Sequence, residues 1–171
     1  IDVKPFYHSD TYSKAPQIQH NASDWKIGHS IYVNSIEKSN IHALGLIDNG
    51  VESLHFILPN ETISVEGLLK NIDTSEVSIY FEPLFLSEKL IEKLQTFSLK
   101  NKASFYTLQD PIGNLARSGN WFKNLKTDLH TLKKTISLGD NLKGVISVDL
   151  GLFQNAGGSM IQQLAYTLAH A

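Results

Sequence analysis

The segment SLHFILPNETISVEGLLKNIDTSEVSIYF, residues Ser53–Phe81, contains two short apolar runs separated by a helix-like stretch. The runs Ser53–Leu58 and Val77–Phe81 have the length and the apolar content of buried strands. Between them, Ser64 is placed to cap a short helix that extends to about Ile72. A strand, a helix and a second strand in this order predict a βαβ unit, in which the two strands lie parallel in one sheet.

The same alternation continues on both sides of this segment. Three further strands are predicted at Lys26–Val33, Ala103–Leu108 and Val145–Leu150. Further helices are predicted at Ser35–Asp48, Glu88–Leu99 and Trp121–Ile136, and after Gly157 and Gly158. The last two helices have apolar residues at helical spacing, which predicts one buried stripe on each. These stripes are Leu125, Leu129, Leu132 and Ile136 on the first, and Ile161, Leu164, Ala165 and Leu168 on the second.

Two α/β architectures are compatible with five βα units. A doubly wound open sheet would be complete with five strands. A (β/α)₈ barrel of the TIM type needs about 250 residues, so that this chain would be an incomplete barrel with about five units. The pattern favours the barrel, in residues 26–171, after an extended N-terminal arm in residues 1–25 that contains Pro5 and Pro16. Because the sequence begins at Ile1, we expect it to be a fragment of a longer protein.

Composition excludes several classes of function. Hydrophobic residues make up 42% of the 171 residues and the formal charge is −2, so that an ordinary core is expected and a nucleic-acid surface is not. The absence of cysteine excludes disulfides and thiolate zinc sites, and it is compatible with a reducing cytosol, so that we expect a cytoplasmic protein. No apolar run reaches the roughly 18 residues of a membrane span, and no membrane partner is expected.

In both architectures, function is expected beyond the carboxyl ends of the strands. Amides and hydroxyls are common among the polar residues there, and no pairing of a nucleophile with a base is evident. They include Asn34, Ser35, Asn60, Glu61, Glu82, Thr107, Gln109, Asp110, Asp149, Gln154 and Asn155. No histidine is expected near a strand end. His29 and His55 are expected to be core or interface residues, and no metal site is predicted.

Two short motifs have a structural explanation that we prefer. Asn155–Ser159 precedes a helix and could hold a phosphate, but a tight turn with Ser159 as the helix N-cap explains the two glycines as well. Asp128–Lys133 resembles the Asp-x-His-x-x-Gly signature of proteins that bind cobalamin in the base-off form. Its position in the middle of a predicted helix, with Lys133 in place of the glycine, makes coincidence the better explanation.

The segment QNAGGSMIQQLAYTLAHA, Gln154–Ala171, resembles the region after the fifth barrel strand of methylmalonyl-CoA mutases. Four other segments are similar to that family in the same order: IDVKPFYHSD from Ile1, WKIGHSIYV from Trp25, NGVESLHFIL from Asn49 and DPIG from Asp110. The resemblance implies a (β/α)₈ substrate domain with the CoA chain along its axis and a separate cobalamin domain. The family uses adenosylcobalamin to interconvert methylmalonyl-CoA and succinyl-CoA.

The departures from the family imply which subunit this is. Leu152 stands where catalytic subunits have a histidine that contacts the substrate thioester, and a leucine cannot donate a hydrogen bond to a carbonyl. Residues 15–21 lack the family's active-site tyrosine and arginine. The Thr-Ile-Gln of the fourth strand is matched by Thr107, Leu108 and Gln109, whereas Arg117 lies two positions from the place of the carboxylate-binding arginine.

The chain therefore resembles the non-catalytic small subunit of a heterodimeric isomerase. The resemblance implies a homologous large catalytic subunit as partner, adenosylcobalamin bound by the complex and not by this fragment, and no turnover by this chain alone. Whether acyl-CoA binds stays open. One alternative is an active acyl-CoA mutase subunit with a rearranged substrate site at Thr107, Gln109, Gln154 and Asn155. Another is an unrelated α/β enzyme or binding module.

Overall fold

The computed structural model describes residues 25–171, so the predicted N-terminal arm lies outside the described residues except for Trp25. The strands are β1 (Gly28–Tyr32), β2 (Ser53–Leu58), β3 (Ser78–Pro83), β4 (Phe105–Gln109) and β5 (Gly144–Ile146). The helices are α1 (Ile36–Asp48), α2 (Val65–Leu68), α3 (Glu88–Asn101), α4 (Pro111–Ser118), α5 (Leu125–Leu138), α6 (Leu150–Asn155) and α7 (Met160–His170). None of the helices in this part of the chain is both long and apolar enough to cross a membrane.

The five strands form one parallel sheet in which each strand lies beside its sequence neighbours, in the order β1-β2-β3-β4-β5. A doubly wound sheet reverses its strand order at a switch point, and these five strands contain no reversal. The doubly wound alternative is therefore wrong for this sheet. The prediction of an α/β fold with five βα units is confirmed. β1 and β5 are the edges of the sheet, which is open within residues 25–171.

The core lies between one face of the sheet and helices α1 to α3. Alternate residues of the central strands point to this face, as the two-residue period of a strand requires. Phe56, Phe81 and Phe105 are fully buried on successive strands, and the ring of Phe81 lies 5.9 Å from that of Phe56 and 5.6 Å from that of Phe105. Aliphatic side chains complete this core, among them Ala43, Leu54, Leu68, Ile79, Leu90, Ile91 and Leu94.

The other face of the sheet, which we call the open face, carries polar and aromatic side chains that are exposed or half-buried. Its residues on β1 to β4 include Ser30, His55, Tyr80, Glu82 and Tyr106. Tyr80 and Tyr106 are neighbours in the strand register, and their rings stack with centroids 4.6 Å apart. Along β3, buried residues alternate with polar or aromatic residues of the open face, whereas β4 has Thr107 and Gln109 on the helix-facing side.

Helix capping follows the sequence closely. Ser35, Ser64, Ser87 and Ser159 each accept a hydrogen bond from a backbone N–H of the first turn, so that all four are N-caps. At Ser159 the cap is a capping box with Gln162. Gly157 has a φ of +83°, a conformation that glycine adopts without strain. The predicted tight turn before the last helix is therefore confirmed.

Three features after β4 differ from the predictions. Helix α4 was missed because Asp110 and Pro111 were interpreted only as a strand end, whereas Asp110 caps the helix and Pro111 occupies its first turn. Strand β5 has only three residues instead of the predicted six, because Asp149, three residues after Ile146, already caps helix α6. The predicted helix from Trp121 begins later, at Leu125, after the cap residue Asn124.

The prediction that the apolar stripes of the last two long helices are buried is wrong. On α5, Leu125, Leu129 and Ile136 are 44–51% exposed, whereas the neighbouring Asp128 and Thr135 are buried. On α7 no residue is buried, and Ile161, Leu164 and Leu168 are 61–81% exposed. Ala165 is exposed as well. The helical period was predicted correctly, but the face that other parts of the protein cover was not.

Candidate functional site

A cleft with a volume of about 440 Å³ lies at the carboxyl ends of β2 to β5. The side chains that determine its chemistry come from five elements or their ends: His55, Glu82, Asp110, Arg117 and Asp149. Leu84, Leu108 and Val148 supply part of its apolar wall. The cleft therefore lies where a parallel sheet is expected to have its functional surface.

His55 connects three neighbouring strands on the open face. Its Nδ1 lies 3.0 Å from Oγ of Ser30 on β1, and its Nε2 lies 3.0 Å from a carboxylate oxygen of Glu82 on β3. The parallel register explains this contact, because Glu82 pairs with Ile57, two residues beyond His55 and on the same face. The Nε2 contact is close but not aligned as a hydrogen bond, so it is an electrostatic contact when the ring is protonated.

A second histidine reaches the end of β4 from the last helix. Nε2 of His170 lies 2.8 Å from Oδ1 of Asp110, and both side chains are nearly buried, with 8% and 11% exposed. The same carboxylate oxygen accepts the N–H of Gly113 at 2.7 Å, which caps helix α4. Asp110 therefore joins the beginning of α4 to the end of α7 beside the cleft.

The guanidinium of Arg117 is already occupied by an acidic partner. Its Nη2 lies 3.3 Å from Oδ2 of Asp149, the N-cap residue of helix α6, and both side chains are about half exposed. The other oxygen of Asp149 accepts the N–H of Gly151 at 2.8 Å. The cleft thus has three carboxylates, from Glu82, Asp110 and Asp149, against one guanidinium. It carries two net negative charges while both His55 and His170 are neutral.

These contacts correct the prediction that no histidine lies near a strand end. His55 and His170 are both in contact with a carboxylate that follows or ends a strand. The sequence contained part of the signal, because Glu82 and Asp110 were placed at strand ends. What was missing was the cross-strand register for His55 and the position of the last helix for His170.

Two of the four predicted substrate-binding residues lie on the helix-facing side of β4. Oγ1 of Thr107 donates to the carbonyl of Val145 at 2.9 Å, which joins β4 to β5. Gln109 is 2% exposed, and neither polar atom of its amide has a hydrogen-bond partner among residues 25–171. Neither side chain lines the cleft. Thr107 therefore holds the sheet together, and contact with a substrate stays a prediction for both residues.

The other two predicted residues, Gln154 and Asn155, are exposed at the end of helix α6. The structure does not bring them together with Thr107 and Gln109 in the cleft. Leu152 is half-buried in α6 and does not line the cleft either. At the end of β5 the cleft is lined by Ser147, Val148 and Asp149, none of which is a histidine.

No group of residues within 25–171 has the arrangement of a metal site or of a lower cobalamin ligand. In this part of the chain, no three or more histidine, aspartate and glutamate side chains are arranged so that they could hold a metal ion. His130 lies within helix α5, and the neighbouring Asp128 accepts the backbone N–H groups of Phe122 and Lys123. The residues of the Asp128–Lys133 motif therefore do not fit a loop that carries a cobalamin ligand.

Comparison with known proteins adds no assignment to this geometry. No model of a protein family and no curated protein matches the sequence.

Proposed function

We propose that this chain is part of the barrel domain of the non-catalytic small subunit of an adenosylcobalamin-dependent acyl-CoA mutase. In this proposal the homologous large subunit carries out the isomerisation of methylmalonyl-CoA and succinyl-CoA and binds the cofactor. The small subunit supports it as a structural partner in the cytoplasm and has no turnover of its own.

The strand order supports a barrel. A (β/α)₈ barrel is built by adding each βα unit beside the preceding one, and all five strands of this sheet follow that rule. The open face would then be the barrel interior. Three more units beside the edges β1 and β5 would close the sheet.

The charge of the cleft is the observation that carries the non-catalytic assignment. An acyl-CoA substrate is anionic, and methylmalonyl-CoA has an additional carboxylate. The cleft presents Glu82, Asp110 and Asp149, and its one arginine, Arg117, is paired with Asp149. Like charges that face each other across an interface weaken binding and exclude the wrong partner. A site for this substrate would need unpaired cations at this place.

The turn before α7 supports the resemblance at the level of backbone geometry. The family's Ala-Gly turn into a helix corresponds to Ala156 and Gly157, where the left-handed φ of Gly157 starts the turn. A side chain on Gly158 would place its Cβ 2.9 Å from the carbonyl of Phe153, so that this position also requires glycine. Both glycines are therefore explained by the same turn geometry.

The Asp128–Lys133 motif does not fit the cofactor. Adenosylcobalamin would supply the radical that starts the isomerisation, and the one motif that resembles its lower-ligand signature lies within helix α5. The cofactor is accordingly assigned to the partner, and no chemical step is assigned to this chain.

The partner prediction is tested by co-expression. The full chain is produced with a cobalamin-binding large mutase subunit from the same genome, and the mixture is separated by size-exclusion chromatography. We expect the two chains to elute as a stoichiometric complex. The mutase activity of this complex should be higher than that of the large subunit alone. Separate elution of the two chains, with unchanged activity of the large subunit, would contradict the proposal.

His55 supports a second candidate function, an enzyme that transfers a proton at the cleft. A histidine held between a hydroxyl and a carboxylate is a typical arrangement for a general base. Its test is the replacement His55→Ala in the complex. If the mutase activity of the complex is unchanged by this replacement, the chain acts as a structural partner. A loss of activity of about a hundredfold or more favours a catalytic role for His55.

A further inference from the structure

A second pocket, of about 180 Å³, lies at the amino ends of β1, β3, β4 and β5, at the opposite edge of the sheet from the cleft. Lys26, Lys102 and Lys143 line it together with Ser75, Ser78 and Ser104. We call it the lysine pocket. The three lysines belong to segments just before β1, β4 and β5, and only the fold brings these segments together.

The lysine pocket has an excess of positive charge. Among residues 25–171, Glu76 is the one carboxylate that lines it, against three lysines. No carboxylate of residues 25–171 lies within 4.0 Å of any of the three ammonium groups, because the ion pairs in this part of the chain involve other residues. The nearby Asp73 accepts hydrogen bonds from Oγ and the N–H of Ser75. Three like charges around one cavity repel each other unless an anion lies between them.

Two of the three lysines are held in place by neighbouring groups. Nζ of Lys26 donates to Oγ of Ser78 at 2.8 Å. Nζ of Lys143 lies 5.9 Å from the centre of the Tyr106 ring, within the range of a cation–π contact. Lys102 is the C-cap residue of α3. The ammonium groups of Lys26 and Lys143 are therefore directed by contacts on the open face.

We propose that the lysine pocket binds a phosphate-type oxyanion, either inorganic phosphate or the phosphate group of a phosphomonoester. A tetrahedral dianion offers several oxygens to separate donors, and ammonium and hydroxyl groups are strong donors to such oxygens. The volume admits a single phosphate group with bound water. An isolated carboxylate would satisfy fewer of the donors and would neutralise less of the charge.

This site is separate from the cleft. On β3 the open face carries Ser78, Tyr80 and Glu82 in succession, so that Tyr80 stands between a residue of the lysine pocket and a residue of the cleft. The ring of Tyr80 stacks on that of Tyr106, and the pair covers the middle of the sheet. The inference goes beyond the proposed function and does not depend on it.

Phosphate binding is tested by titration of the ¹⁵N-labelled chain, first with sodium phosphate and then with adenosine 5′-monophosphate, at constant ionic strength. We expect saturable shifts of the backbone amides of Ser75, Ser78 and Ser104. Lys26→Gln and Lys143→Gln should each weaken binding about tenfold, as expected for the loss of one charge-assisted hydrogen bond. The triple variant that also contains Lys102→Gln should not bind.

Lys134→Gln is the matched control, because Lys134 pairs with Glu88 away from the pocket and its loss changes the net charge equally. It should bind phosphate as the original chain does. If phosphate alone saturates the site, the ligand is the free anion, and if the monophosphate also saturates it, the site accepts a phosphomonoester. Absence of saturable shifts, or equal weakening in the control and the single variants, overturns the proposal. Thermal unfolding shows that each variant is folded.

Discussion

The central strands and the last helix use the same kinds of side chain with opposite results. Phe56, Phe81 and Phe105 are fully buried between the sheet and its helices, whereas Ile161 and Leu168 of α7 are 81% and 69% exposed. Both regions have the regular apolar spacing of their secondary structure. The spacing therefore shows which residues share a face, and only the tertiary arrangement determines whether that face is covered.

The largest decrease in the free energy of unfolding is expected from removing a phenylalanine ring from the central strands. Phe81→Ala would leave a cavity between two other phenylalanine rings, and such a change costs about 3–5 kcal/mol of the free energy of unfolding. Urea denaturation followed by circular dichroism measures it. A loss below about 1 kcal/mol would mean that this region is packed as loosely as α7.

The second largest loss of unfolding free energy is expected from removing the buried carboxylate of α5. Asp128 is 1% exposed and accepts the N–H groups of Phe122 and Lys123, so that Asp128→Ala leaves two backbone donors without a partner. We expect a loss of about 1–3 kcal/mol in the same denaturation experiment. Lys126→Ala, an exposed change on the same helix, is the control and should cost much less. Equal losses would show that the carboxylate has no special role.

On α5 the sequence predicted the helix but not which of its faces is buried. The stripe Leu125, Leu129, Leu132 and Ile136 had the right period, yet the buried line lies one residue earlier, through Asp128 and Thr135. Asp128 is buried because it binds the backbone of the loop before the helix, and that contact is not encoded in hydrophobic periodicity. Strand β2 was predicted with its observed bounds, since Pro59 and the polar residues before Ser53 mark both ends.

The candidate site was predictable only in part. Glu82, Asp110 and Asp149 were placed at strand ends, and they do converge on one cleft. His55 was assigned to a strand, but a single sequence does not give the register that sets it against Ser30 and Glu82. The lysine pocket was not predicted, because its lysines are far apart along the chain. Lys102 follows Lys26 by 76 positions, and Lys143 follows Lys102 by 41 positions.

A change on the last helix should have little effect on this chain. Leu164 is 61% exposed, so that Leu164→Ser removes few contacts. We expect a change within about 0.5 kcal/mol in the free energy of unfolding. A loss of 2 kcal/mol or more, of the size expected for a buried leucine, would show that α7 is covered in solution and would remove the contrast with the central strands.

The smallest effect concerns an exposed turn before β3. Hydrogen bonds from the side chain and the backbone of Ser75 hold the pKa of Asp73 below its ordinary value. A carboxyl group with a lowered pKa stabilises the folded state above its unfolded-state pKa, and this contribution is lost as the pH falls through the folded-state pKa. Ser75→Ala should therefore raise the pKa of Asp73 in an NMR titration. An unchanged value would show that the side-chain bond is not formed in solution.

The assignment to a non-catalytic subunit is tested most directly by mutase turnover of the purified chain. The chain is incubated alone with methylmalonyl-CoA and adenosylcobalamin, and succinyl-CoA is measured by chromatography. Because the cleft carries excess negative charge and no histidine lines it at the end of β5, we predict no product above the blank. Clear turnover without the large subunit, abolished by His55→Ala, would contradict the assignment.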